Sequence, residues 1–124
     1  MSKIEQVNEI LEDLEEKVAD IIGSAVIRKN GLVVAAALPS ESNDRMVAAM
    51  SAALLGTSKR SAEALFQGSF QSLHLELDKG SMFLMSAGRV ILVAITKKEP
   101  NIGLITLEME DTSKKISEVF KLGE

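Results

Sequence analysis

The segment over residues 69–110 most constrains how this chain can fold. It reads as three closely spaced strands, separated by turns at Asp78-Lys79-Gly80 and Ala87-Gly88-Arg89, and it leads directly into a helix. Two of these strands, over residues 82–85 and 90–95, are apolar at consecutive positions. A strand with one solvated face would instead alternate apolar and polar residues. The segment therefore predicts an α/β protein whose sheet is the middle layer, with helices on both faces.

The first part of the chain predicts a helix followed by a β-hairpin. Ser2 and Glu5 form a capping-box pattern, which indicates a helix start at Lys3. Its apolar stripe consists of Ile4, Val7, Ile10, Leu11, Leu14, Val18 and Ile21. We expect Gly23 to end this helix. Short β-prone runs over residues 25–28 and 32–37 flank Lys29-Asn30-Gly31, and Asn-Gly is a strong hairpin signal.

Two further helices are predicted, one central and one at the end of the chain. The central helix, over residues 44–65, is capped by Ser42 or Asn43 and is rich in Ala and Ser. Gly56 inside it costs about 1 kcal/mol relative to Ala, which suggests close backbone approach or a slight bend. Its small residues suit either a plain core helix or a helix that packs against another protein. Asn101, directly after Pro100, is expected to cap the last helix.

Composition and charge exclude several classes of protein. The 124 residues fit one domain, residues 1–124, and the absence of cysteine excludes disulfides and thiolate metal sites. The net charge is −4 and the pI is about 5.1, which argues against nucleic-acid binding. Neither a secretory signal nor a run of about 20 apolar residues is visible, so we expect a cytoplasmic protein without membrane insertion.

No residue set in the sequence indicates an enzyme. The chain has a single histidine, His74, on a predicted strand, and no serine and acid are marked as its partners. Residues 56–61 only loosely resemble a phosphate loop and lie inside the central helix. We therefore expect no catalytic residue, no cofactor and no metal, and look for function in the surfaces of the protein.

Four strings in the sequence, taken in order, resemble one known family. They are IRKNGLVVAAALP, MVAAMSAALLGTSKRSAEAL, SMFLMSAGRVILVAIT and KKEPNIGLITLEM. Their order and spacing resemble the Roadblock family of dynein-associated light chains, and most of all its prokaryotic branch, which regulates Ras-like GTPases in gliding motility. Asn101-Ile102-Gly103-Leu104 matches the family's segment that joins the last strand to the last helix. The resemblance extends over about residues 4–120.

The resemblance implies a fold and a class of function. Family members are three-layer sandwiches of order α-β-β-α-β-β-β-α, with a mostly antiparallel five-stranded sheet of strand order 2-1-5-4-3. The first and last helices cover one face and the central helix covers the other. Two copies pair their third strands, which brings the central helices side by side. Such dimers bind Ras-like GTPases, some bacterial members stimulate GTP hydrolysis, and other members are scaffolds in motor or signalling assemblies.

The third strand, over residues 69–77, carries the predicted dimer interface. Its apolar and polar side chains alternate, and it has neither a proline nor a charge-rich edge, so it is an unprotected edge that can pair with another chain. We predict a homodimer formed by antiparallel pairing of this strand. The predicted interface comprises Ser69, Phe70, Gln71, Ser72, Leu73, His74, Leu75, Glu76 and Leu77.

The central helix carries the predicted partner surface. Exposed Met and Leu side chains flanked by basic residues suit an adaptable docking face. The predicted residues are Arg45, Met46, Met50, Leu54, Lys59 and Arg60. We favour a non-enzymatic homodimer that binds and regulates a Ras-like GTPase. The alternative is a structural scaffold subunit without GTPase contact, and a ligand-sensing domain would need a pocket with convergent polar groups.

Overall fold

The order of helices and strands agrees with the prediction. The computed structural model describes residues 1–121, so that 122–124, the end of the predicted domain, lie outside the described residues. The elements are α1 (Lys3–Lys17), β1 (Ile21–Arg28), β2 (Val33–Ala37), α2 (Asp44–Phe66), β3 (Ser72–Leu77), β4 (Gly80–Ala87), β5 (Val90–Thr96) and α3 (Ile102–Lys121). Among residues 1–121, no helix is long and apolar enough to cross a membrane.

The strands form one five-stranded antiparallel sheet of order β2-β1-β5-β4-β3. The predicted turns are present: Gly31 has φ of 92° in the β1–β2 hairpin, and Gly88 has φ of 72° between β4 and β5. Because α2 carries the chain from β2 across to β3, these two strands lie at opposite edges. The predicted strand order is therefore confirmed.

Helices cover both faces of the sheet, as the doubly apolar strands predicted. On one face α1 and α3 pack together, and their side chains Leu11 and Met109 are fully buried against the sheet. On the other face α2 contributes Ala48 and Leu55 to a second core. Successive residues of β5 are buried on opposite faces, which explains why this strand does not alternate apolar and polar residues.

The predicted boundary between the first helix and the first strand is wrong. α1 ends at Lys17, Val18 is in an extended conformation, and Ile21 begins β1. Val18 and Ile21 are both buried, and the Ile21 amide donates a hydrogen bond to the Val18 carbonyl in a turn. Two buried residues three positions apart in this turn have the same spacing as the apolar stripe of a helix, which is why the helix was predicted to continue. Gly23 does not end the helix but lies within β1. A Cβ there would be 2.8 Å from Pro39 Cδ, so the glycine permits close packing of the following loop.

The three predicted helix caps are present. The Ser2 hydroxyl accepts a hydrogen bond from the Glu5 amide at 3.1 Å, which fixes the start of α1 at Lys3. Asn43 rather than Ser42 caps α2 through the Met46 amide, and the Asn101 side chain accepts from the Leu104 amide at 3.1 Å. Each side chain satisfies a backbone donor that the first turn of a helix leaves without a partner.

Asp20 connects the turn after α1 to the start of α3. Its carboxylate accepts a hydrogen bond from the Asn101 amide at 2.8 Å and lies 3.1 Å from Lys97 Nζ. The Asn101 amide, followed by Lys97, lowers the pKa of the Asp20 carboxyl below its ordinary value. These contacts join segments 81 residues apart in the chain and fix the start of α3 beside the end of α1.

Candidate protein-interaction surface

The face of the sheet under α2 is only partly covered. Leu73 of β3 packs into the α2 core, and Leu75 and Leu77 point to the same side because alternate residues of a strand share a face. Leu77 is nevertheless 57% exposed, and on α2 itself Met46 and Met50 are exposed. The part of this face next to β3 is therefore an apolar surface open to another molecule.

An apolar groove lies between the N-terminal half of α2 and the sheet. It has a volume of about 310 Å³ and is lined by Ile22, Met50, Leu77 and Met82, among others. Gly80 lies in its wall, where a Cβ would be 2.5 Å from the Thr96 carbonyl oxygen. Of the described residues that line it, Lys79 alone is charged. We call this the apolar groove, and its lining favours an apolar side chain over a polar ligand.

β3 is the edge strand that the prediction required, although it is shorter than predicted. It begins at Ser72, so that Ser69, Phe70 and Gln71 precede it, because the turn at Gln67 first redirects the chain from α2 to the sheet edge. Within residues 1–121, no strand pairs with its outer side. The predicted interface thus divides into a strand and a three-residue approach to it.

The hydrogen-bond pattern shows which groups point outward from the edge. The Ser86 amide donates to the Gln71 carbonyl at 3.0 Å, and β3 and β4 remain in register from there to the Leu77–Gly80 pair. In an antiparallel ladder, hydrogen-bonded pairs alternate with pairs that bond outward. The amides of Ser72, His74 and Glu76 therefore point to the free edge, whereas that of Leu73 points to β4.

His74 interacts with its own sheet. Its ring stacks on Phe83 of β4, with centroids 4.2 Å apart and planes 4° from parallel, and its Nε2 lies 3.3 Å from the Ser81 hydroxyl. These contacts hold the ring on the face that α1 and α3 cover, because Phe83 belongs to that core. A stacked ring with a hydroxyl neighbour has the environment of a structural histidine, and it lies close to the free edge of β3.

The predicted partner residues do not form one cluster. Met46 and Met50 lie one turn apart on an exposed stripe of α2, and Met50 lines the apolar groove. Leu54, the next residue on that stripe, is half-buried against the core. Arg45 lines a different cavity beside the β1–β2 hairpin. Lys59 and Arg60 are exposed on the C-terminal half of the helix.

Several exposed apolar residues on this side of the molecule were absent from the predicted set, among them Leu65, Phe66 and Ile22. Phe66 is 82% exposed and Leu65 is also exposed, at the C-terminal end of α2. Phe66 was missed because the helix was predicted to end at residue 65. Ile22 was missed because it was assigned to the end of α1, whereas it is an exposed residue of β1. Correct element boundaries would have identified Phe66 and Ile22.

The surface carries groups that are suited to contact with another chain. The described residues contain no group of three or more His, Cys, Asp or Glu side chains placed to hold a metal ion. What the surface offers is a row of outward backbone amides and carbonyls beside exposed Met, Leu and Ile side chains. Such a surface suits the addition of a strand and the docking of a helix.

The protein is a three-layer sandwich with an open sheet edge at β3 and a half-covered face under α2. The family model for the Roadblock/LC7 domain matches residues 7–96, and the chain belongs to that family. The uncharacterized protein MJ1340 of Methanocaldococcus jannaschii is 35% identical over 104 residues, which are 84% of this chain and 91% of that protein. The family that the sequence strings indicated is therefore confirmed.

Solved structures support the same fold. Myxococcus xanthus MglB superposes with a TM-score of 0.90 at 20% identity, covering 98% of this chain and 92% of that one. The gliding protein MglB of Thermus thermophilus superposes with a TM-score of 0.86 at 17% identity, covering 98% and 93%. At these identities the likeness concerns the fold alone.

Proposed function

We propose that this protein is a non-enzymatic homodimeric platform that binds and regulates a Ras-like GTPase. The observation that carries the proposal is the half-covered α2 face next to the open β3 edge. One surface supplies a site for strand pairing and the adjacent surface supplies exposed helix side chains. Membership of the Roadblock/LC7 family and likeness to MglB support this function. A regulator of a Ras-like GTPase would work in the cytoplasm, where such GTPases act.

The dimer is proposed to form by antiparallel pairing of β3 with β3 of a second copy. The outward amides and carbonyls of Ser72, His74 and Glu76 would then gain partners that the free edge otherwise leaves to water. The same pairing extends the sheet and brings the exposed stripe of Met46 and Met50 toward that of the second α2. Burial of those methionines and of Leu77 would add apolar stabilisation to the backbone hydrogen bonds.

Proline substitution tests the proposed pairing. Ser72→Pro removes an outward amide, and an edge strand tolerates proline where its N–H faces solvent. We expect wild type to scatter light as twice 13.4 kDa at micromolar concentration and the variant as a monomer with an unchanged circular dichroism spectrum. Ser72→Ala, which keeps the amide, is the matched control and should remain dimeric. A wild type that is monomeric throughout would refute the dimer.

The GTPase is proposed to dock on the paired α2 helices. Met46, Met50 and the half-buried Leu54 supply adaptable apolar contacts, while Arg45, Lys59 and Arg60 supply positive charge in a chain whose net charge is −4. Basic residues at the edge of an interface chiefly accelerate association and select partners of opposite charge. The proposed partner surface on the GTPase is therefore acidic at its rim.

Charge reversal tests this docking surface. Lys59→Glu with Arg60→Glu should weaken binding of a GTP-loaded Ras-like GTPase from the same organism by at least about tenfold, measured by titration calorimetry. Lys114→Glu with Lys121→Glu makes the same charge change on exposed positions of α3, across the sheet, and should leave the affinity unchanged. A dimer that binds no Ras-like GTPase would favour the alternative, a scaffold subunit of a larger assembly.

Regulation is proposed to act through the GTPase's own catalytic groups. The chain has no phosphate-loop motif, so we expect it to bind no GTP itself. Its four arginines lie at the end of β1, in α2 and in the β4–β5 turn. None is on a long loop that could enter another active site. Single-turnover GTP hydrolysis with each arginine replaced by alanine tests this, and one arginine required for activation but not for binding would contradict it.

A further inference from the structure

A second cavity lies beside the C-terminal half of α2, away from the apolar groove. It has a volume of about 320 Å³ and is closed on one side by the connection between α2 and β3. Its floor consists of Leu55 and Ile91, which are buried, and Phe70, which is half-buried. A cavity of this volume is at the lower end of the range for small-molecule sites, about 300–1,000 Å³.

Polar groups from separate elements converge on the rim of this cavity. Lys29 reaches it from the β1–β2 turn and Lys59 from α2. Ser86 of β4 and Ser69 and Gln71 of the α2–β3 connection complete the rim. We call this the lysine cavity. It has the apolar floor and the few convergent polar groups that a ligand site requires, which the apolar groove lacks.

The charge of the lysine cavity does not follow the charge of the chain. Acidic residues outnumber basic ones, 18 to 14, yet no described residue that lines the cavity is acidic. Two ammonium groups at one concavity with an apolar floor give it a positive potential, because the low-dielectric floor screens charge less than water does.

We propose that the lysine cavity binds a small organic anion, a carboxylate carried on a short apolar body. The carboxylate would accept charge-assisted hydrogen bonds from Lys29 and Lys59, and the apolar body would lie on Leu55, Phe70 and Ile91. Because its two lysines belong to the hairpin turn and to α2, the ligand would bridge these elements. The site does not depend on the proposed GTPase function, because all the residues that line the cavity belong to a single copy of this chain.

Three matched probes test the site by amide chemical shifts of the ¹⁵N-labelled protein. Hexanoate carries the charge and the apolar body, hexan-1-ol the apolar body without the charge, and inorganic phosphate the charge without the body. We expect saturable shifts for hexanoate at the amides of Lys29, Phe70 and Ser86, with a dissociation constant of about 1 mM or tighter. Hexan-1-ol and phosphate should bind at least about tenfold more weakly, because each lacks one of the two contacts.

Lysine variants assign the binding to this cavity. Lys29→Gln with Lys59→Gln should abolish the saturable hexanoate shifts, and the spectrum of the variant reports its folding directly. Lys98→Gln with Lys121→Gln, which removes two exposed lysines elsewhere, should leave binding unchanged. Hexanoate binding that survives in the first variant, or that maps to Ile22 and Leu77, would overturn the proposal. So would the absence of saturable shifts, even if the first variant also lost affinity for a GTPase.

Discussion

The two faces of the sheet are built from the same strands but completed differently. On one face, α1 and α3 contribute fully buried Leu11 and Met109 to the larger core. On the other, within residues 1–121, α2 lies alone and presents small residues such as Ala48 and the buried Ser51 to the sheet. One face is thus completed within the chain, and the other leaves apolar side chains exposed beside β3.

The two faces therefore have different roles: residues on the α1 and α3 face maintain the fold, whereas exposed residues on the α2 face are available for binding. A second helix on the α2 side would cover the apolar groove, whereas on the opposite face α1 and α3 already pack side by side. Small residues let α2 approach the sheet closely but provide too little volume to cover it. The same composition that makes this helix weakly amphipathic therefore leaves a surface for a second protein.

Truncation of one methionine on each face should give the largest contrast in stability. Met109, in α3, is 0% exposed and Met50, in α2, is 55% exposed, so the same change to alanine probes both faces. Met109→Ala should lower the free energy of unfolding by about 2–5 kcal/mol, because it leaves a cavity. Met50→Ala should change the free energy of unfolding of the monomer, at low protein concentration, by less than about 0.5 kcal/mol.

Urea unfolding at two protein concentrations would measure both variants and separate folding from self-association. The comparison of faces would fail if Met50→Ala destabilised the protein at low concentration as much as Met109→Ala. A loss that appears for Met50→Ala only at high concentration would agree with the proposed burial of this side chain between two copies.

Two glycine-to-alanine changes should have opposite effects on the two faces. Gly88, at φ of 72°, lies under α3, where a Cβ would be 2.7 Å from Ser117 Oγ. Gly88→Ala should therefore cost about 1–3 kcal/mol. Gly56 in α2 has open space, since a Cβ there would meet only Arg60 Nη1, at 3.8 Å, among the described residues. Gly56→Ala should stabilise the fold by up to about 1 kcal/mol, through helix propensity.

Thermal unfolding of the two variants checks this contrast, and Ser117→Ala in the Gly88→Ala background should recover part of the loss. Destabilisation by Gly56→Ala in the monomer would show that α2 is packed as tightly as α3. Of the two interpretations that the sequence suggested at Gly56, close backbone approach is not found among the described residues.

Most of the fold could be predicted from local patterns. Consecutive apolar residues in β4 and β5 required helices on both faces, and the caps at Ser2, Asn43 and Asn101 fixed three helix starts. The end of α1 could not be predicted this way. Val18 and Ile21 have the spacing of a helix although they lie in a turn. The turn is held by the hydrogen bond from the Asn101 amide to Asp20, and a contact between such distant segments is not visible in the local sequence.

The candidate surface was less predictable than the fold. The sequence indicated that Met46 and Met50 are exposed on α2. In the structure both are exposed, because no other element of the described chain packs over that stripe of the helix. It could not indicate that Lys29 and Lys59 share a cavity, since that depends on how the hairpin turn lies against α2. Residues that meet only through tertiary packing leave no spacing signal in the chain.

The smallest effect is expected at Glu15, on the α1 side of the sheet. Its carboxylate accepts a hydrogen bond from the buried Ser24 hydroxyl at 2.5 Å. Burial raises the pKa of Glu15 above its ordinary value. The Ser24 hydrogen bond lowers the pKa and so offsets part of this increase, and the negative charge of Glu12 raises the pKa further. A raised pKa in the folded state gives stability that is present below the unfolded pKa and is lost as pH rises through the folded pKa.

Glu15→Gln should therefore be more stable than wild type at pH 7, and the difference should disappear as the pH falls through the pKa of Glu15. Because the side chain is partly exposed, the gain should stay below about 1 kcal/mol. Urea unfolding from pH 4 to 8 measures it. Glu12→Gln, which lowers the pKa of Glu15 by removing a neighbouring charge, should give a smaller gain of the same sign. If Glu15→Gln were instead less stable than wild type at pH 7, by an amount that shrinks as the pH falls, the Ser24 hydrogen bond to the carboxylate would outweigh burial, and this edge of the α1 face would depend on a charged contact.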